Sequence, residues 1–485
     1  LKSGDVLIVA GKGHENYQLY KNKIKFSDKS SIKRYITLKN NKLSSEWKTN
    51  ILNENLKNLK LSNKLNIQNA SINSNTISKN SIFFGIKGKK LDGNKFANAA
   101  IKNGAVLSIV DKNFSKKNKK KIKVKNSLET FSKVSKIIRE VSNIQAIGIT
   151  GSAGKTSFKD LLGNSLAQLR QTTYSKKSFN NKFGVPLSLF QIKKKHEFGV
   201  FEIGMDKHGE IESLTKLVRP NVAVITNISH AHIKNFKNIN DIAKAKSEII
   251  DQIKDEGIIV LNKDDKFYNY FANKAKKRNI KIITYSKNKK SDIQLYKIKY
   301  KKKFSKIYVI INKHIHFFQI KNNLVPYVEN ILGVISILSI YFNIGKINKK
   351  IFYNFQIPKG RGKISKIKIK NKVINLIDES YNSNPLSLNF SIKKFNNINA
   401  KKSKKILILG DMMELGKFSK KLHVQVSDVI NNSNIDKVHV YGKHIRHTLN
   451  KIQTQKKGKI FKNKNEILNF IQNMTGNNNY LMLKG

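Results

Sequence analysis

One segment constrains this chain more than any other: Ile147-Gly148-Ile149-Thr150-Gly151-Ser152-Ala153-Gly154-Lys155-Thr156-Ser157, set between a buried apolar run and a helical stretch. A glycine-rich turn at that junction lets backbone N–H groups point at phosphate oxygens, and the dipole of the following helix favours the negative charge. Gly151, Ser152, Gly154 and Ser157 line the turn, Lys155 is placed to reach the β- and γ-phosphates, and Thr156 to ligate Mg²⁺. The strict pattern has glycine five residues before Gly154; here that residue is Ile149, with Gly148 one step earlier, so the loop is a variant. Such a loop needs a strand, a turn and a helix in fixed relation, which predicts an α/β fold and a nucleotide ligand.

The surrounding pattern agrees. Ala146–Thr150, Gly199–Ile203, Val222–Thr226 and Ile258–Leu261 are short apolar runs, each followed by turn residues and a polar-apolar helical stretch, which predicts a mostly parallel sheet covered by helices. Val373–Ile377, Lys405–Leu409 and Lys437–Tyr441 predict the strands of a further α/β unit. Before the phosphate loop, Ser81–Ile86 and Val106–Val110 read as strands, Phe96–Asn103 as a helix, and the Lys-rich run Lys116–Lys125 as an exposed loop or edge. Residues 296–301 alternate as a half-exposed strand does. The expected division is 1–43, with the strand run Val6–Ala10 and a polar linker at its end, then 44–142, 143–357 and 358–485. There is no Cys, hence no disulfide framework and no thiol nucleophile, and no signal-peptide pattern at the start. The most apolar stretch, Ile331–Ile344, contains Gly, Ser and Asn and falls short of the roughly 18–20 residues needed to cross a bilayer.

A formal charge of +64 would ordinarily point to nucleic acid. Arg occurs only at positions 34, 139, 170, 219, 278, 361 and 446, so the 95 basic residues are overwhelmingly Lys. Readers of phosphate and bases favour the bidentate Arg fork, and that bias is absent. Lys, Asn and Ile are inflated together, as A/T-rich codons produce, and the charge reads as a solvated lysine surface with no nucleic-acid partner. The competing class, a basic P-loop protein on nucleic acid, would show steeply salt-dependent binding.

Further clusters fall at spacings that a parallel-sheet enzyme gathers at its strand ends. They are Asn180-Asn181-Lys182-Phe183-Gly184-Val185-Pro186, Glu202 at the end of Val200–Gly204, Thr226-Asn227 with His232, the helix Ala243–Ile249, and Leu261-Asn262-Lys263-Asp264-Asp265. Beyond them stand Lys359-Gly360-Arg361, Asp378-Glu379-Ser380-Tyr381-Asn382-Ser383-Asn384-Pro385, Leu409-Gly410-Asp411-Met412-Met413-Glu414-Leu415-Gly416 and Leu483-Lys484-Gly485. From about residue 46 to the end the chain resembles the Mur ligase family, most closely the branch that joins D-alanyl-D-alanine to UDP-N-acetylmuramoyl-tripeptide. The specific motifs are Asp378–Pro385 and Gly410–Gly416; the phosphate loop and Glu202 are shared with sister ligases.

That resemblance implies a three-domain α/β architecture: an N-terminal UDP-sugar-binding domain, a central P-loop parallel-sheet ATPase domain and a C-terminal Rossmann-like domain, here cut short. It implies a cytoplasmic ATP- and Mg²⁺-dependent ligase of peptidoglycan precursor synthesis, acting through an acyl phosphate on UDP-N-acetylmuramoyl-tripeptide and D-alanyl-D-alanine. Lys155 would clamp the transferring phosphoryl group, Thr156 and Glu202 would hold one Mg²⁺, and His232 with a carbamate on Lys246 a second. Lys244 is the competing lysine, but residues two apart do not share a helix face. Asn262, Asn330, Arg361 and Asp378 would face the nucleotide, although the Gly-His pair that usually precedes Asn330 is absent. Asn180, Asn181, Tyr381, Asn382, Asn384, Asp411 and Glu414 would face the peptide substrates. Ser74, Asn75, Lys87 and Asp92 would hold the UDP-sugar; Asn75 stands where relatives commonly have Arg, and Asn94 where they commonly have His. Residues 1–28, with Gly11-Lys12-Gly13-His14-Glu15 and Phe26-Ser27-Asp28, resemble the extreme C-terminus of the tripeptide-forming ligase of the same family, so the chain reads as a piece of a fusion of two successive enzymes. Another Mur-type or folylpolyglutamate-type ligase, and an inactive fragment, are the alternatives within this reading.

Overall fold

The computed structural model describes residues 17–19, 23–25, 47–55, 67–114, 118–369, 371–400, 403–474 and 476–485. The apolar run Val6–Ala10, the Gly-His-Glu segment and Phe26–Asp28 lie outside the described residues. Chain contacts divide into two compact units, one of residues 1–144 with 182–197 and one of residues 145–181 with 198–485.

The first unit holds a four-stranded parallel sheet in the order Asn69–Ser71, Ser81–Phe84, Leu107–Asp111, Lys121–Val124. Its lysine-rich edge strand Lys121–Val124 falls in the run read as a loop or edge, and carries charge where an unpaired edge is open to other chains. Helix Ser127–Val141 turns one apolar stripe inward, and Phe131 stacks on Phe84 with ring centroids 4.4 Å apart. Helix Gly184–Phe190 belongs to this unit although it follows the phosphate loop in sequence: Phe190 meets the Phe84 and Phe131 rings at 6.3 and 6.4 Å. Lys48, buried, donates to the carbonyls of Gln68 (2.7 Å) and Phe190 (2.6 Å), and burial pushes its ammonium down to about 7.

The second unit is built on two sheets. The larger has nine strands in the order His314–Lys321, Phe304–Ile311, Ile293–Tyr300, Lys281–Ser286, Ile258–Asn262, Val222–Ile225, Gln145–Thr150, Phe198–Glu202, Thr172–Tyr174. All pairings are parallel except the two at the His314 edge, an antiparallel meander. Gln145–Thr150 lies between strands that come later on either side, so its carboxyl end is a switch point, where a parallel sheet opens a crevice. The phosphate-loop helix Lys155–Ala167 packs there against helix Val328–Tyr341, and a Cβ on Gly333 would stand 2.5 Å from the Phe158 ring, so the two helices need glycine to come this close. Val328–Tyr341 is apolar all round because it sits in the core. The longer helical stretch Asn322–Tyr341 passes length and apolarity tests for a membrane span, against the reading from Ile331–Ile344, but 61% of its most apolar window is buried within the protein.

The second sheet has six strands in the order Lys363–Ile369, Lys372–Asp378, Tyr480–Lys484, Lys405–Gly410, Lys437–Tyr441, Lys457–Phe461, parallel but for the first pair. The segments after Asp378, Gly410 and Lys484 therefore leave or end at one edge, the carboxyl edge of the parallel strands.

His439 packs against the rings of Phe461 and Phe470 with Nδ1 accepting the Lys459 N–H at 2.9 Å, and burial, with Lys459 and Lys437 adding to it, pushes its pKa down to about 4. An unfolded chain takes up this proton near 6.5, so between about 6.5 and about 4 the unfolded state binds more protons and stability falls as pH falls. His439→Asn, which keeps an acceptor at the Nδ1 position, is expected to make the loss of stability across that window shallower. Denaturant titrations of both proteins at pH 7 and 4.5 would measure it, and parallel losses would refute it.

Candidate active site

The phosphate loop is held open by its neighbours. Gly151 has φ 146°, and a Cβ there would stand 1.9 Å from Thr226 Oγ1, so only glycine fits. Asn227 both accepts from the Ala153 N–H (2.9 Å) and donates to the Ala153 carbonyl (3.1 Å), while the Ser152 hydroxyl accepts the Ser229 N–H (2.9 Å) and donates to the Ser229 carbonyl (3.0 Å). Gly154 takes a left-handed conformation and caps the helix that begins at Lys155. Lys155 Nζ folds back on the Gly151 carbonyl at 2.6 Å; burial lowers its pKa, Glu202 opposes the shift and Arg361 adds to it.

Thr156 is the meeting point. Its hydroxyl donates to Glu202 Oε2 at 2.9 Å, lies 3.0 Å from Ser178 Oγ, and accepts from Arg361 Nη2 at 3.2 Å. Glu202 is buried and its other oxygen accepts from Asn180 Nδ2 at 2.8 Å. Asn180, expected to face peptide substrate, thus orients the carboxylate, and a Cβ on Gly204 would stand 2.9 Å from its side chain. Two buried oxygen donors beside Lys155 are the ligand chemistry of a hard cation such as Mg²⁺.

His232 follows strand Val222–Ile225 in a left-handed conformation, and its Nδ1 lies 3.2 Å from Asp206 Oδ1 and in contact with Glu414 Oε2. These are ion-pair contacts without hydrogen-bond alignment, and the donor atoms of Asp206, His232 and Glu414 all fall within 4.8 Å of one another. Burial lowers the His232 pKa, Glu414 and Asp206 oppose that, and Lys155 and Lys246 add to it. Lys246 is buried in helix Ile239–Asp251 while Lys244 is exposed, as the spacing predicts. Burial, with Lys155 adding to it, holds the Lys246 ammonium well below its ordinary pKa, a shift toward the neutral amine.

Asn330 opens helix Val328–Tyr341 beside the loop, its Oδ1 3.5 Å from where a Gly154 Cβ would be. Asn262 is occupied, donating to Glu329 Oε1 at 2.7 Å and accepting from the Asp264 N–H at 3.0 Å. From the six-stranded sheet, the Arg361 guanidinium stacks on Tyr381 at 4.2 Å, and Asn384 caps helix Pro385–Asn396 while donating to the Ser152 carbonyl at 3.4 Å. Asp378, expected to face the nucleotide, accepts through Oδ1 from the Ser380 N–H (3.0 Å) and hydroxyl (2.6 Å) in its own turn. Asn382 accepts from the Ser383 N–H at 2.8 Å, and its carbonyl takes the buried Lys484 ammonium at 2.7 Å. Asp411 accepts from the N–H groups of Lys443 and Ile445 at 3.0 and 2.7 Å. Ser157 is buried in the helix's first turn, and Asn181 is exposed.

In the first unit, the turns carrying Ser74-Asn75 and Lys87–Asp92 follow adjacent strand ends on one edge of the parallel sheet. Asn94 is buried, linking Asp92 Oδ1 (2.7 Å) and Asp111 Oδ2 (2.9 Å), which makes it a brace of that edge. Sequence reasoning missed Asp206 and Ser178, lone polar residues with no motif of their own, whereas Thr226 belongs to the Thr226-Asn227 cluster it singled out.

Three family models match the chain: "Mur ligase family, catalytic domain" over residues 66–148, "Mur ligase middle domain" over 149–338, and "Mur ligase, glutamate ligase domain" over 365–485. A UDP-N-acetylmuramoyl-tripeptide–D-alanyl-D-alanine ligase of Rickettsia prowazekii is 31% identical over 434 residues, covering 88% of this chain and 94% of the relative. One of the same name from Buchnera aphidicola subsp. Baizongia pistaciae is 31% identical, covering 84% and 87%. A crystal structure of MurF from Acinetobacter baumannii shares the fold with TM-score 0.76 at 23% identity, covering 91% of this chain and 95% of that one.

Lys155→Ala removes one charge-assisted contact to a bound triphosphate, a loss of roughly 1.5–3 kcal/mol, or about 10- to 150-fold in affinity. Calorimetric titration with a non-hydrolysable ATP analogue and Mg²⁺ would measure it; unchanged affinity would remove Lys155 from the site.

Proposed function

This chain belongs to the Mur ligase family, and from that premise we propose that it is an ATP-dependent amide ligase adding D-alanyl-D-alanine to UDP-N-acetylmuramoyl-tripeptide in peptidoglycan precursor synthesis. The reading is carried by one observation: Asn384 of the Asp378–Pro385 motif and Arg361, stacked on Tyr381 of the same motif, reach Ser152 and Thr156 of the phosphate loop, while Glu414 of the Gly410–Gly416 motif meets His232, so both branch-specific motifs border the phosphoryl-binding groups. The names of the relatives at 31% identity support the substrate pair.

The chemistry follows from the groups present. The tripeptide's terminal carboxylate attacks the γ-phosphorus of ATP and ADP leaves, giving an acyl phosphate. The dipeptide's amine then attacks the acyl carbon, the tetrahedral intermediate expels phosphate, and the ammonium formed gives up its proton. Lys155 and the loop N–H groups neutralise the transferring phosphoryl group, and Arg361 adds positive charge from the C-terminal sheet. Closure of that sheet's loops over the crevice excludes water, which would otherwise hydrolyse the acyl phosphate. Thr156 and Glu202 would hold Mg²⁺, which when bound supplies charge neutralisation of the phosphates. His232 and a carbamate on Lys246 would serve a second cation; a buried, neutral amine is the form that adds CO₂. Tyr381, Asn382, Asp411 and Glu414 would border the incoming dipeptide, and Ser74, Asn75, Lys87 and Asp92 the UDP-sugar. The proposed domain limits are 44–142, 143–357 and 358–485. The substrates of such a reaction, two nucleotides and a dipeptide, are soluble, which suits a cytoplasmic enzyme.

Phosphate release from ATP and Mg²⁺ in the presence of UDP-N-acetylmuramoyl-tripeptide is expected to depend on D-alanyl-D-alanine, with a UDP-pentapeptide mass and loss of both in EDTA. Release without dipeptide dependence, in folded protein, would direct the search to glutamate and other amines. ¹³C spectra in labelled bicarbonate are expected to show a carbamate signal that disappears in Lys246→Ala.

A further inference from the structure

The loop Gly410–Gly416 leaves the carboxyl end of strand Lys405–Gly410 and arrives at the His232 turn, where the Glu414 carbonyl accepts the Lys234 N–H at 3.0 Å and its carboxylate meets His232 Nδ1. Glu414 holds a left-handed backbone, φ 62°, which an L side chain adopts only when its surroundings dictate it. The dictating contacts lie two and three residues earlier. Asp411 ties the loop's first turn to the N–H groups of Lys443 and Ile445. Met412, buried, donates its N–H to Nε2 of His423 at 3.0 Å, and Met413 at the tip is exposed.

His423 lies on helix Ser419–Asn431 and is fully buried. A backbone N–H can only donate, so Nε2 must be the unprotonated nitrogen. The ring proton therefore sits on Nδ1, which donates to the Ser419 carbonyl at 2.8 Å. His444, stacked at 5.9 Å, and His447 face the ring from the next turn and helix, and Asp411 from the loop itself. Neither nitrogen contacts the phosphate loop or the His232 turn, so the imidazole acts through the Met412 backbone alone.

We propose that His423 is a positioning residue of this active site: its unprotonated Nε2 anchors the Met412 N–H and so delivers Glu414 to His232. The kinetic consequence rests on the ligase reading above; the structural consequence does not.

The test compares His423→Leu, which has no acceptor, with His423→Gln, whose amide oxygen reaches the Nε2 position, and with Glu414→Gln. The Leu variant is expected to lower kcat at least tenfold while the KM for ATP stays within twofold. The Gln variant should recover most of kcat, and His423→Leu/Glu414→Gln should be no slower than Glu414→Gln by more than twofold. Independently of turnover, long-range ¹H–¹⁵N spectra of the full chain should show His423 neutral with its proton on Nδ1, and the His232 resonances should move in His423→Leu as they do in Glu414→Gln. Wild-type kcat in folded His423→Leu, a proton on Nε2, or unmoved His232 resonances would each overturn the proposal. Should the Leu variant not fold, the tautomer and the Gln variant decide it. Absent turnover in the wild type would refute the ligase reading while the spectra still judged this one.

Discussion

The site depends on one hydroxyl. Thr156 Oγ1 is shared among the phosphate-loop helix that bears it, the carboxylate at the end of the neighbouring strand and an arginine from a different sheet. Each partner is fixed elsewhere: Glu202 by Asn180, Arg361 by stacking on Tyr381, the loop by Thr226 and Asn227. Buried polar groups cost free energy unless their partners are present with good geometry, so a displacement of any one is felt by the others. This is how two parallel sheets, each with an ordinary crevice at its carboxyl edge, come to share one site in the second unit.

Electrostatics sharpen that constraint. In a chain of 95 basic and 31 acidic residues most lysines are solvated, but several are buried with specific partners. Lys159 donates to the carbonyls of Ser175 and Lys177 and pairs with Asp160 at 2.7 Å, tying the phosphate-loop helix to the segment that carries Ser178 and Asn180. Lys484 and Lys394 share the buried Glu379 at 3.7 and 3.5 Å, binding the last strand to the turn that presents Tyr381 and Asn382. Composition alone assigned lysine to the surface. Burial of these few is decided by carbonyls and carboxylates that only the fold brings together.

Legibility in the sequence follows the range of the interaction. The phosphate loop was readable because its function is local: backbone N–H groups and two side chains within a few residues. The parallel sheets were readable because apolar runs and turns repeat, and most strand ends agree within a residue or two. What could not be read are pairings across the fold. Asn384 sits in a motif whose spacing suggests a ligand, and only the fold shows that it also reaches the Ser152 carbonyl of the phosphate loop. Asp206 and Ser178 belong to no motif, and helix Gly184–Phe190 joins the first unit because the ring of Phe190 completes an aromatic cluster, a long-range fact of packing.

The arrangement of Lys155, Lys246 and His232 has a direction built into it. All three are drawn toward the neutral state by burial; Lys155 makes Lys246 and His232 harder to protonate, Lys246 adds to this at His232, and Arg361 does the same to Lys155. Glu202 favours the charged form of Lys155, and Glu414 and Asp206 that of His232, whereas Glu248 is the only carboxylate opposing the shift of Lys246. A site so disposed favours the charged form unequally: a buried carboxylate supports the Lys155 ammonium, while burial and Lys155 both work against that of Lys246. The anion that relieves it is polyvalent, because Lys155 and Arg361 lie close enough to repel each other and Glu202 is the carboxylate that opposes the shift of Lys155. A triphosphate meets that requirement.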